Sequence, residues 1–260
     1  MEDLASAPTQ LLGILEAIRA VRDQRSVLAG FADRSVAALA AEGLEHRAVR
    51  HPYLTALADG KVPDLRWALR DFARHYYGYS RLFPRYLTTV MAKLERVDHR
   101  EALLENLTEE SGSYEDDEVA ELAALGVEPQ WYDGVPHPEL FARFARCLGV
   151  EPSSAHEADE VVAWRELFLG VLEHGSPAEA VGALGLGTEN VVSTMYAPIV
   201  DAIERAQIAK EDAVFFPLHT IVDDGHNEVL LRIAAHYVGR PGGLRDLRRG
   251  MLKALQCRNA

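Results

Sequence analysis

The segment HTIVDDGHNEVL, residues 219–230, sets two histidines and two aspartates close together. On a helix turning about 100° per residue, Asp223 lies about 40° to one side of His219 and His226 about 20° to the other. These three side chains share one narrow stripe, and Asp224 faces elsewhere. Two imidazoles and a carboxylate are a ligand set that iron, manganese or zinc takes from a protein. The same pattern suits a solvated helix with incidental histidines, so the stripe alone leaves both readings open. Gly225 inside that helix costs roughly 1 kcal/mol against alanine, which suggests a close neighbour there.

One stripe cannot complete a metal site, and other segments offer further donors. ENLTEESG closes an amphipathic helix with Glu105, Glu109 and Glu110. VPHPELFARFARCLG opens another with His137 near its first turn. GALGLGTENVV carries Glu189, which has no other charged residue near it between Val181 and Pro198. An unpaired buried carboxylate is very costly, so Glu189 implies either a partner or a first-turn position favoured by the helix dipole. Glu109 and Glu110 also read as a solvated charged face. No E-x-x-H occurs, so the ferritin-like di-iron pattern is missing.

The elements that must position these residues are helices. Apolar residues recur at helical spacing in LLGILEAIRAVRDQRSVLAGF, LRWALRDFARHYYGYSRLFPRYLTTVMAKL, ELFARFARCLGV, VVAWRELFLGVLEH and VSTMYAPIVDAIERA. Alternating strand-type runs are absent. Punctuation falls between helices, as in DGKVPD, GVEPQWYDGVPHP, HGSPAE and GRPGG. GKVPD predicts a helix opening at about Asp64, and no linker divides the chain. The expectation is one all-α domain over 1–260 of about seven or eight helices, with an N-terminal helical extension over 1–44 and a basic C-terminal tail over 241–260.

The chain carries 27 basic against 40 acidic residues, a net charge of −13, with 48% hydrophobic residues. That balance disfavours nucleic acid or an anionic membrane as partner, because phosphate contacts need clustered Lys and Arg. The tail GRPGGLRDLRRGMLKALQCRNA is the basic exception and reads as a helix with a solvated basic face. Cys147 and Cys257 form no C-x-x-C pair, so a thiolate zinc site is excluded. No signal peptide or membrane-length apolar run is present, and a cytoplasmic location is expected.

The order NLTEESG, HPELFARFARCLG, GLGTEN and HTIVDDGH resembles the haem-oxygenase-like di-iron oxidases, relatives of thiaminase II and pyrroloquinoline quinone synthase. HPYLTALADGKVPDLRWALRDFARHYYGYSRLFPRYL also looks like that family's first core helices. The resemblance covers roughly residues 45 to 240 and implies a haem-oxygenase-like helical bundle. It implies two Fe(II) per chain, held by Glu110, His137, Glu189, His219, Asp223 and His226, and it gives those six residues the catalytic role. Glu110 is preferred to Glu109 because the family glutamate precedes x-Gly, as in ESG. Relatives keep that Glu and the His close in sequence, whereas SYEDDEVAELAALGVEPQWYDGVP intervenes here as an inserted helix and loop.

The activity so implied is O2-dependent oxidation of an aliphatic small molecule in a biosynthetic pathway, by desaturation or C–C cleavage, with an amino acid preferred as substrate. An external electron donor and a homodimer belong to the same expectation. Amine N-oxygenation and oxidative decarboxylation of a fatty acid are the alternatives within the family. N-oxygenating relatives tend to add a carboxylate on an early core helix, where this chain has only Asp71 between Trp67 and Lys93. The p-aminobenzoate-forming relatives use a lysine after the second glutamate, and none occurs between Asn190 and Ala209. Tyr76, Tyr77, Tyr79, Arg74 and Arg85 are candidates to read a substrate's carboxylate and amine, or else packing and surface residues. A non-catalytic binding or regulatory protein on the same scaffold is the alternative of another class.

Overall fold

The computed structural model describes residues 29–124, 126–152, 156–221 and 223–259, and the side chains of 221–225 lie outside that description. Among the described residues the secondary structure is entirely helical. In chain order the helices are α1 (29–44), α2 (Pro52–Ala58), α3 (Leu65–Ser80), α4 (Phe83–Met91), α5 (Val97–Glu110) and α6 (Asp116–Ala124). A 3-10 turn (Pro129–Trp131) precedes α7 (His137–Cys147), α8 (Asp159–His174) and α9 (Pro177–Val181). A π-helical segment (Gly182–Glu189) leads into α10 (Asn190–Arg205), followed by α11 (Phe215–Ile221), α12 (Asp223–Val238) and α13 (Gly243–Arg258).

The helices outnumber the seven or eight expected because several are too short to show a full apolar period. Local chemistry sets their starts. Asp64 caps α3 by accepting from the Trp67 amide at 2.9 Å, as the GKVPD signal predicts. Ser176 caps α9 through the Glu179 amide at 3.2 Å, and Pro177 follows at the first helical position.

Apolar faces meet in two packed regions. One gathers Leu39 of α1, Tyr86 of α4, Phe168 of α8, Ile233 of α12 and Leu247 of α13. The other gathers Leu69 of α3, Phe141 of α7, Ile199 of α10 and Phe216 of α11. Tyr76 and Met195 touch both, so the seam between the regions runs past α3 and α10. The described part of the expected N-terminal extension packs into the first region, and the Asn190 amide donates to the Ala40 carbonyl at 3.0 Å.

The basic tail forms α13, which packs extensively along α9 and the π segment. A Cβ on Gly250 would collide with the Glu179 carbonyl, so α13 approaches α9 backbone to backbone. Glu179, buried beneath, binds Arg249 at 2.7 Å and Lys253 at 2.6 Å.

Candidate metal centre

Two consecutive glutamates close α5, and both are buried, Glu109 at 8% and Glu110 at 3% exposure. Glu110 faces His137 and His219: its Oε1 lies 3.1 Å from His137 Nδ1 and 3.8 Å from His219 Nε2. Glu109 faces His226, with Oε2 2.6 Å from Nε2.

The insert does not separate Glu110 from His137 in space. Gly112, just past α5, takes φ +89°, a left-handed conformation that favours glycine. A Cβ there would stand 2.6 Å from the Val135 backbone. The Gly134 amide donates to the Gly112 carbonyl at 2.8 Å. The chain therefore leaves at Gly112, forms α6 and the 3-10 turn, and returns to the same point. Pro136 follows and starts α7, so His137 enters at the helix's first position beside Glu110.

Each of these imidazoles has one nitrogen occupied and the other aimed at Glu110. His219 Nδ1 sits 2.6 Å from the Phe215 carbonyl, which only accepts, so Nδ1 carries the proton and Nε2 keeps its lone pair. His137 Nε2 lies 2.6 Å from the Tyr114 hydroxyl. Its Nδ1 is buried and has no hydrogen-bond partner although Glu110 is near. Ligand atoms at right angles about 2 Å from one ion stand about 3 Å apart, which matches the Glu110–His137 separation. Glu110, His137 and His219 present ligand atoms within 4.8 Å of one another and can hold one metal ion.

Charge around the cluster points the same way. Glu189 ends the π segment at 5% exposure. Burial, reinforced by the negative charge of Glu110 and opposed by His226, pushes its carboxyl up to about 7. Burial also acts to raise Glu110, but the charges of the neighbouring imidazoles, led by His137, hold it below the ordinary range. Burial, with His137 beside it, drives His219 down to about 3, so that ring is neutral. For His226 burial is outweighed by the hydrogen bond and charge of Glu109, and its pKa is raised. Three carboxylates and three imidazoles packed this tightly make a donor set suited to a cation, and the orphaned Nδ1 of His137 marks where one fits.

A cavity of about 30 Å³ adjoins the cluster, room for about two water-sized spheres. Glu110, His137, Glu189 and His219 line it together with Tyr76, Tyr79 and Tyr196. Of the six residues expected as ligands, Glu110, His137, Glu189 and His219 border this cavity, and His226 joins the cluster through Glu109. The backbone of Asp223 opens α12, and its side chain lies outside the described residues. Glu109, a candidate donor in the sequence that was set aside for Glu110, is buried in the cluster as well. Its signal was the doubled acid before the helix-ending glycine. Of the expected carboxylate readers, Tyr76 and Tyr79 reach the cavity, and Tyr77 packs on Phe141. Arg74 and Arg85 are exposed, and Arg85 pairs with Glu173 at 3.2 Å.

The model of a family described as iron-containing redox enzymes matches residues 70–259, and the chain belongs to that family. It is similar to 4-chloro-allylglycine synthase of Streptantibioticus cattleyicolor, 26% identical over 81% of this chain and 74% of the relative. It is also similar to 4-aminobenzoate synthase of Chlamydia muridarum, 24% identical over 68% of each. Among solved structures, a domain with a haem-oxygenase-like fold from Shewanella denitrificans superposes with a TM-score of 0.60. That match is 14% identical and covers 86% of this chain and 85% of the other. The fold is haem-oxygenase-like, as the sequence resemblance implied. No helix among the described residues is long and apolar enough to cross a membrane.

Proposed function

We propose that this iron-containing redox enzyme is a non-haem di-iron oxidase that uses O2 on an aliphatic small molecule, an amino acid before a fatty acid. Glu110, His137 and His219 hold one Fe(II). Glu189, Asp223 and His226 hold the second, with Glu109 beside His226. The observation that carries this reading is His137 Nδ1, buried, without a hydrogen-bond partner, and 3.1 Å from Glu110.

The bound iron supplies O2 reduction, and because desaturation yields two electrons while O2 takes four, an external donor returns the other two. The chain's own residues do the rest. The Phe215 carbonyl and the Tyr114 hydroxyl fix ring orientation at His219 and His137. Burial holds Tyr114 as a neutral phenol well above its ordinary range, with the charge of Glu110 reinforcing it. The aromatic wall of Tyr76, Tyr79 and Tyr196 limits the water beside the cluster.

The relative named 4-chloro-allylglycine synthase supports an unsaturated amino acid as product. The absence of lysine between Asn190 and Ala209 argues against the activity that names the 4-aminobenzoate relative. Glu109 favours a second reading, amine N-oxygenation, since it adds a carboxylate at His226, although from α5 rather than an early core helix. The test is stopped-flow mixing of the Fe(II)-loaded chain with O2. A transient visible band and O2 uptake accelerated by an aliphatic amino acid are expected. Fe(II) that oxidises no faster than free iron, with no band, contradicts the proposal.

A further inference from the structure

Tyr79, in the cavity wall, is backed by an arginine that sequence spacing assigned to the solvated tail. Arg258, the last residue of α13, turns inward. Its guanidinium carbon lies 5.6 Å from the Tyr79 ring centroid and 5.4 Å from that of Trp164. Those two rings stack on each other at 3.9 Å. One terminal nitrogen donates to the Tyr79 hydroxyl at 3.4 Å and the other approaches Met195 Sδ at 3.1 Å. Its Nε is buried without a hydrogen-bond partner. Among the described residues no carboxylate forms an ion pair with it, whereas Arg165, Arg248 and Arg249 each have one.

A guanidinium beside a stacked aromatic pair, with a buried orphaned donor and no ion pair among the described residues, is expensive to keep for packing alone. Arginine matches a carboxylate through two parallel N–H donors. Tyr79, which Arg258 touches, lines the cavity together with Tyr76 and Tyr196, and the hydroxyls of those two meet at 2.9 Å.

We infer that Arg258, acting with the Tyr79 hydroxyl, binds the carboxylate of the substrate at the Tyr79 wall of the cavity. This rests on the oxidase reading and narrows it to substrates that carry a carboxylate. The carboxylate sits beside Tyr79 as a counter-ion to Arg258, and the cavity widens beyond its about 30 Å³ to admit the aliphatic chain. Arg258 is a binding residue, remote from the bond that reacts.

The test is calorimetric titration of the Fe(II)-loaded chain under argon with hexanoate, L-norleucine and L-allylglycine, each beside its primary amide. At least one acid is expected to bind tenfold or more tighter than its amide. Arg258→Gln removes that preference, Arg258→Lys keeps part of it, and both leave iron stoichiometry unchanged. Arg258→Met leaves Tm unchanged or raises it, because it removes an uncompensated buried charge. Equal binding of acid and amide, no binding of any acid, or undiminished acid binding by Arg258→Gln overturns the inference. A fall in Tm with the acid preference intact assigns Arg258 to packing and overturns it as well. Failure of the chain to bind iron, with the acid preference intact in the metal-free protein, counts against the oxidase reading and leaves this one standing.

Discussion

His226 Nε2 lies 2.6 Å from Glu109 Oε2, while the adjacent Glu110 turns to His137 and His219. Two neighbouring acids on one helix are about 100° apart, which aims them at two different imidazole partners. The end of α5 therefore serves both halves of the cluster.

Glu109→Gln is expected to weaken or remove one of two Fe(II) equivalents and leave the other in place. Loss of a ligand or its close partner typically costs tenfold to a hundredfold in affinity. Glu105→Gln, exposed on the same helix, serves as the control. Anaerobic Fe(II) titration reads both, and equal stoichiometry and affinity in the two variants contradicts a role for Glu109.

Gly112→Ala tests how the insert is closed. The new Cβ would sit at φ +89° and 2.6 Å from the Val135 backbone, a strain of about 1–3 kcal/mol. The variant should fold with a lowered Tm and hold iron weakly at Glu110, His137 and His219, because His137 follows Val135 within one turn. Wild-type iron affinity in this variant contradicts the account of that junction.

The docking of α13 carries a pH signature. Arg249, through its hydrogen bond, and Lys253 hold the Glu179 carboxyl down to about 2, against burial that opposes them. A depressed folded-state value means stability that is fully present above the ordinary 4.5 and lost as pH falls toward about 2. Glu179→Gln is expected to cost about 1–2 kcal/mol at pH 7, discounted for the solvent-exposed cations. That corresponds to about 2–8 °C in Tm. The gap to wild type should narrow as pH falls through that window, and thermal melts in a pH series check it. A gap that stays constant contradicts the assignment.

Helical periodicity made the fold legible in α3, α7, α8 and α10, where apolar residues recur over several turns. It failed where an element is shorter than two turns, as in α9 and α11, or lacks a face, as in the π segment, buried along its whole length. The cluster was legible where residue types were unusual for their surroundings, such as Glu189 in an uncharged stretch. Glu109 was hidden because a second acid beside Glu110 looks like ordinary surface charge. Arg258 was hidden for a similar reason: a tail rich in arginine shows no sign of which one turns inward. Burial of those two depends on contacts from α12 and α3, distant in sequence, which no local pattern reports.

The central claim is that these buried carboxylates and imidazoles hold two Fe(II), and anaerobic titration of the full chain tests it most directly. The account predicts about two equivalents for the wild type and a clear loss in His219→Ala and in Glu189→Ala, with both variants folded. Iron stoichiometry unchanged in the two variants, or no tight iron in the wild type, would contradict it.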